Sequence, residues 1–425
     1  MNLPPACPPL PALFRLRQTY PPSVAINFAA LFAQGLESCR ARFPRSGRVA
    51  VAVGSRGITR LSELVQTVLT SLRACGLEPF LVPAMGSNGG GTPEGQAALL
   101  AGYGVTPQSM GANLDASMDT TLLGRTPEGA EVHASAAAAR ADGIVVINRI
   151  KPHTDFSGPV GSGLLKMLAV GLGKRHGAVA FHAAASRSDP GTVIRDMARV
   201  VLGSLPVLFG VAVVEDQRHQ PALVEVVPPD QFEAAEARLL VEASRRMPGL
   251  PFADINLLIV DRLGKNISGT GMDPNVINRS VEGYSISLAH QHGKPPRIRR
   301  IFVRDLTPET RGNAIGIGLA DFTTTRLVRS MDARVTSLNA LTALNLQGAK
   351  IPIHFEADSE CLAHALASLA LSDPGSARVV RIRDTLSLEE FEASSGLLAE
   401  ARSQPGLVIL SDPAPARFDD QGVLV

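Results

Sequence analysis

From Arg48 onward the chain repeats one pattern: an apolar run of strand length, a glycine-rich polar turn, then an amphipathic helical stretch. RVAVAV ends in GSRG, LSELVQTVLTSLRACG follows and closes at Gly76, and EPFLVPAM is apolar again. A run that is apolar throughout belongs to a strand buried on both faces, and a helix between two such strands makes them parallel. The pattern therefore dictates βαβ units. It recurs in DGIVVINRIKPH and VLFGVAVVED, with GTVIRDMARVVLG and QFEAAEARLLVEASRRM as helices, and again beyond a Pro/Gly linker at MPGLPFAD in INLLIVDRLGK, RIRRIFVRDL, IPIHFE and RVVRIRD. At about 150 residues per domain, 425 residues make two or three. The reading is two α/β domains with mostly parallel sheets, 1–250 and 251–425, with residues 1–47 docked on the first.

Composition excludes several classes. Lys+Arg 41 against Asp+Glu 39 leaves a net charge of +2, too little basic excess for a dedicated nucleic-acid binder. The N terminus lacks a basic segment leading into an apolar one, and no stretch approaches the about 20 apolar residues of a membrane span, so a cytoplasmic protein without a membrane partner is expected. Cys7, Cys39, Cys75 and Cys361 are too scattered for a disulfide framework or a zinc ribbon.

Ligands of open parallel sheets bind at the carboxyl ends of strands. Three polar glycine loops stand at such ends: Gly54-Ser55-Arg56-Gly57, Gly86 to Thr92, and Ser268 to Asp273. Glycine lets a backbone approach an anion, and Thr92-Pro93 has the chemistry of a helix start. None fits the P-loop or the dinucleotide fingerprint, which argues against NAD and Walker-type ATP binding.

Lysine use is sharper. Only six of the 41 basic residues are lysines, and Lys151, Lys166 and Lys174 fall within 24 residues; His153, Asp155, His176 and His182 join them within 32. Unlike a guanidinium, a lysine amine can lose its proton and become a nucleophile or an acylation target. Imidazole moves protons near neutrality and ligates nickel, zinc or copper. A zinc hydrolase is disfavoured, because no HExxH or comparable ligand set is present.

GSRGI, GSNGGGTPEGQ, NRIKPHTDFSGPVGSGLLKMLAVGLGK with His182 downstream, GKNISGTGMDPNVI and GNAIGIGLADFTT together resemble the nickel-pincer-nucleotide lactate racemase family, from about Arg48 to about residue 395. The resemblance implies an active-site cleft between two α/β domains and a cytoplasmic isomerase. It also implies a pyridinium-type mononucleotide that carries nickel and is covalently attached at Lys166. His182 then stands as the metal ligand and His153 as one acid/base residue. Ser55, Arg56 and Gly57, with Ser87, Gly89, Gly90 and Thr92, are the implied cofactor contacts. A small 2-hydroxy acid is the implied substrate, and separate cofactor-synthesis proteins are implied partners. Lys265, Asn275, Asn278 and Arg279 are candidates for holding the substrate carboxylate or hydroxyls, since charged donors bind carboxylates strongly. Asp321 and Thr323 to Thr325 could serve the same end.

The chain departs from the family at Asn88, where the relatives' loops carry the second acid/base histidine. An amide can hydrogen-bond but cannot exchange a proton near neutral pH. Three alternatives follow. In the first, another base serves the second face, with Asp155, His176 or a residue of the second domain as candidates. In the second, the enzyme is one-sided, an epimerase or a hydride-transfer enzyme on a polyhydroxy acid. Or the chain is a non-catalytic paralogue that binds ligand or cofactor.

Overall fold

The computed structural model describes residues 10–54, 57–154, 156, 158–281, 288–290 and 296–425. The chain divides into two compact units, Pro22–Met247 and a second made of Met1–Pro21 with Pro248–Val425.

The first unit is built on a five-stranded sheet in the order Glu78–Pro83, Arg48–Val53, Gly143–Arg149, Val207–Glu215, Pro221–Val227. The first four run parallel and the last is antiparallel. Successive side chains of a strand point to opposite faces. Accordingly, Val49, Val51 and Val53 pack with helix Leu61–Ala74 on one face, while Ala50 and Ala52 pack with Leu164, Leu168 and helix Pro190–Ser204 on the other. Both faces are covered, which is why these strands read as unbroken apolar runs. The hairpin Thr120–Arg125 with Glu131–Ser135, which the apolar pattern does not announce, stands apart from this sheet.

The second unit holds an eight-stranded sheet in the order Ile353–Phe355, Phe322–Thr324, Arg297–Leu306, Asp254–Leu263, Val379–Ile382, Glu390–Ser394, Leu13–Gln18, Leu407–Ile409. Five strands are parallel, and the last three add on antiparallel. The α/β class with mixed, mostly parallel sheets is thus as read from sequence.

One boundary is corrected. Residues 1–47 do not all dock on the first domain: Leu13–Gln18 lies between Glu390–Ser394 and Leu407–Ile409 in the other unit's sheet, and only the segment from Pro22 onward, with helix Phe28–Gly35, joins the first. From Phe14 to Arg17, LFRLRQ alternates buried and exposed positions, a short half-buried strand whose partners are too remote for local pattern to reveal. Among the described residues, no helix is long and apolar enough to cross a membrane.

Candidate active site

In the first sheet, Arg48–Val53 has Glu78–Pro83 on one side and Gly143–Arg149 on the other. The chain order reverses between these neighbours, so the carboxyl ends of Arg48–Val53 and Gly143–Arg149 form the topological switch point where open sheets bind ligands. Gly54 ends the first strand in close quarters: a Cβ there would lie 3.0 Å from the Met167 methyl and 3.4 Å from Asn148 Oδ1. Asn148 Nδ2 in turn donates to the Gly163 carbonyl at 2.7 Å. Arg149 pairs with Glu215 across the neighbouring strand ends, and Glu215 accepts from the Thr59 amide at 3.3 Å, which fastens the far end of the loop. Gly57 lies against Tyr103, whose ring would be 3.1 Å from a Cβ. Ser55 and Arg56, like Asp155, fall outside the described residues.

Beyond Arg149 the backbone closes a loop, with Lys151 and Ser162 exchanging two amide hydrogen bonds at 2.9 Å. This loop carries His153, whose ring stacks on Phe156 with centroids 4.0 Å apart. Lys166 ends the helical turn Leu164–Lys166, and its Nζ hydrogen-bonds His153 Nε2. The two residues singled out from sequence are thereby brought together. The turn runs on into a π-helical segment, Met167–Gly171, closed by the Leu172 amide donating to the Met167 carbonyl at 2.8 Å. Such turns recur at functional sites.

Beneath this turn lies a residue that the motif reading missed. Glu236, on helix Phe232–Arg246, is wholly buried, and its Oε2 accepts from the Leu165 amide at 3.0 Å. A carboxylate at the start of a helix satisfies unpaired amides and matches the helix dipole. A Cβ on Gly163 would come within 2.3 Å of the Glu236 carboxyl, so glycine is what admits it. Burial pushes this carboxyl up to about 7, against the amides of Leu165, Gly161 and Leu164 and the charge of Lys166, which favour ionisation. A signal did exist. Phe232, Ala235, Glu236, Leu239, Leu240 and Ala243 share the buried face of the helix, and the glutamate is the one charged member of that apolar stripe.

The second glycine loop is shaped by left-handed backbone at Gly86, Gly89, Gly90 and Gly91. Gly89 and Gly95 touch backbone to backbone, and a Cβ on Gly95 would sit 1.9 Å from the Gly89 carbonyl oxygen. Asn88 is half-buried and donates from Nδ2 to the Met85 carbonyl at 3.0 Å. Ser87 is half-buried beside it, and Thr92, exposed, accepts from the Gly95 amide at 3.1 Å as the cap of helix Pro93–Gly102.

Under the loop, buried Gln96 donates to the carbonyls of Gly86 at 2.9 Å and Asn88 at 3.3 Å, while its Oε1 accepts from Lys174 Nζ at 3.2 Å. Lys174 is completely buried. Burial pushes its ammonium down to about 8, opposed by the charge of Asp115. A folded-state value below that of the unfolded chain means that unfolding takes up a proton between about pH 8 and 10.5. Stability should therefore rise with pH across that window, and Lys174→Met should flatten the rise in urea unfolding at pH 8 and pH 10.

His182 is on helix Lys174–Ala185, two turns beyond Lys174, half-buried against Phe181 with ring centroids 5.2 Å apart. His176 is exposed, bonded at Nδ1 to Thr120 Oγ1 at 3.0 Å and stacked on His133, an imidazole that sequence reading had passed over. Among the described residues, no three histidine, cysteine or acidic side chains converge as a ready metal cage.

The second unit places its candidates differently. Lys265 Nζ bonds Asn339 Oδ1, and Asn275 donates through its amide nitrogens to Asp273 Oδ1 at 3.0 Å. Asn278 is buried with Nδ2 on the Pro296 carbonyl at 3.1 Å. Arg279 is buried too, and its guanidinium donates to Asp321 at 2.8 Å and to the carbonyl of Leu319 at 2.9 Å. These bonds make Asn278, Arg279 and Asp321 braces of their own unit. Thr323 and Thr324 are likewise buried, on the carbonyls of Val303 and Arg304, while Thr325 Oγ1 meets His354 at 3.1 Å.

No family model matches this chain, and no curated protein matches it. Solved structures do. The lactate racemase apoprotein from Thermoanaerobacterium thermosaccharolyticum matches with a TM-score of 0.51 and 13% identity, over 91% of this chain and 96% of that one. The chain has the lactate racemase fold. A Thermotoga maritima protein solved by the Northeast Structural Genomics Consortium matches with a TM-score of 0.51 and 12% identity, over 87% and 99%. At such identities the likeness establishes the fold, and the chemistry has to be argued from the residues.

Proposed function

We propose that this protein is a racemase or epimerase of a 2-hydroxy acid, working with a nickel-pincer nucleotide attached at Lys166. The observation that carries the reading is the Lys166–His153 pair, held at the switch point of a sheet with the lactate racemase fold. The residues fit such a group. An acylable amine stands half-buried beside an imidazole, Gly54 brings backbone close to the same turn, and His182 offers a nitrogen donor suited to nickel.

When bound, the nucleotide supplies reversible acceptance of the substrate's hydride. Every other task belongs to the chain. Lys166 holds the group at one place, which turns encounter into fixed geometry. His153 takes the hydroxyl proton as the carbon becomes planar and gives it back when the hydroxy acid re-forms. Stacking on Phe156 limits the rotation of that imidazole. Asn88 contributes a hydrogen bond at the loop.

The test is intact-protein mass spectrometry with nickel analysis, on protein co-expressed with cofactor-synthesis enzymes. An adduct mapping to Lys166 together with bound nickel supports the reading. An unmodified mass, where a lactate racemase prepared alongside is loaded, overturns it. A second reading, a ligand-binding paralogue without turnover, is favoured by the Asn88 amide being turned onto its own loop at Met85. Asn88→His separates the two. In an enzyme, a second proton carrier should raise the rate of configurational exchange by about tenfold or more, measured by chiral chromatography, whereas a binding protein stays silent.

A further inference from the structure

We infer that His153 has an earlier task than the one proposed above: it is the base that makes Lys166 an acylation site in the protein before any cofactor is attached. The inference rests on the proposed function only for the identity of the natural acyl donor. Its physical basis is separate.

An isolated lysine amine is protonated at neutral pH and therefore a poor nucleophile. It becomes competent when a neighbouring base receives its proton, the same logic that activates serine or cysteine beside histidine. Here the amine and the imidazole are already in hydrogen-bond contact. Both partners are fixed from behind: the ring by Phe156 and by the loop closed at Lys151 and Ser162, the lysine by a turn whose start is capped by Glu236.

The step balances without any redox partner. The Lys166 amine attacks the carbonyl or thiocarbonyl carbon of an activated acyl compound, R–CO–X. The carbon–nitrogen bond forms, the carbon–X bond breaks, and X leaves with its electron pair. Nζ loses two protons, one as the ammonium becomes the attacking amine and one as the amide forms, and each goes to His153 Nε2 and from there to water. The substrate class is thus an activated acyl or thioacyl donor, and the product is an amide or thioamide on Lys166.

The probe is 4-nitrophenyl acetate, applied at neutral pH to the full-length protein without cofactor. Phenolate release is followed by absorbance, and acetylation of each lysine is quantified by peptide mass spectrometry. Lys166 should acetylate at least tenfold faster than Lys350, which serves as reference in the same digest. His153→Gln and His153→Leu should each bring Lys166 down to the reference rate while leaving exposed Lys350 unchanged, with circular dichroism showing that both variants remain folded. If Lys166 reacts no faster than Lys350, or reacts equally fast in both variants, the inference is overturned. The outcome is independent of the reading it extends. Fast, His153-dependent acetylation in a protein that never acquires a nickel nucleotide refutes the proposed function alone, and an adduct on a slow, His153-independent Lys166 refutes this inference alone.

Discussion

On the proposed function, Lys166→Arg should yield a folded protein with no covalent adduct and with configurational exchange reduced by about 10⁴–10⁶-fold, the range seen when a member of a covalent catalytic unit is removed. Arginine keeps the positive charge and the capacity to donate to His153 Nε2. It cannot lose its proton and be acylated, so the substitution removes one property and spares the others. The side chain is only half-buried, so the turn Leu164–Lys166 and the π-helical segment should survive, as circular dichroism would report. The decisive reading is the intact mass. An arginine variant that still carries the nucleotide after denaturation would place the attachment elsewhere and remove the reason for the lysine.

The second large effect is thermodynamic and belongs to Glu236. Its folded-state value of about 7 stands above the ordinary 4.5. Between those values the folded protein holds a proton that the unfolded chain has released. The resulting stabilisation is fully present below about pH 4.5 and is lost as pH rises through about 7. A shift of that size corresponds to about 3 kcal/mol. Glu236→Gln keeps the shape and stays neutral, so it should abolish this fall. Urea unfolding of both proteins at pH 5 and pH 7.5 checks it: the wild type should lose midpoint between the two and the variant should lose far less. Parallel slopes would show that the carboxyl is not desolvated as the packing of Gly163 and Leu165 implies.

Much of the architecture was written in local sequence. The strands Arg48–Val53 and Gly143–Arg149 and the helix Leu61–Ala74 are legible because burial on two faces, or on one stripe, leaves an unmistakable period. The pair Lys166 and His153 was legible for a different reason, since a lysine in an arginine-rich chain stands out against its background. What escaped depends on contacts between remote segments. Glu236 is 70 residues from Lys166, and nothing nearby in sequence marks it as the cap of that turn. Gln96 and Lys174 meet only because a loop folds over a helix start. Arg279 looked like a substrate clamp because arginine so often is one, and its partners Asp321 and Leu319 lie some 40 residues away.

The placement of Leu13–Gln18 has a consequence for biosynthesis. Arg17 is joined to Glu390 across 373 residues of chain. At about 5–20 residues per second, a ribosome needs roughly 20–75 s to make that span. In that interval Pro22–Met247 can complete its own sheet, while the half-apolar strand ahead of it has no partner to receive it. The nascent chain therefore carries an unpaired strand with one apolar face, Phe14 and Leu16, for most of its synthesis. Deleting the first 21 residues would remove that hazard and leave Glu390–Ser394 with a bare edge in its place.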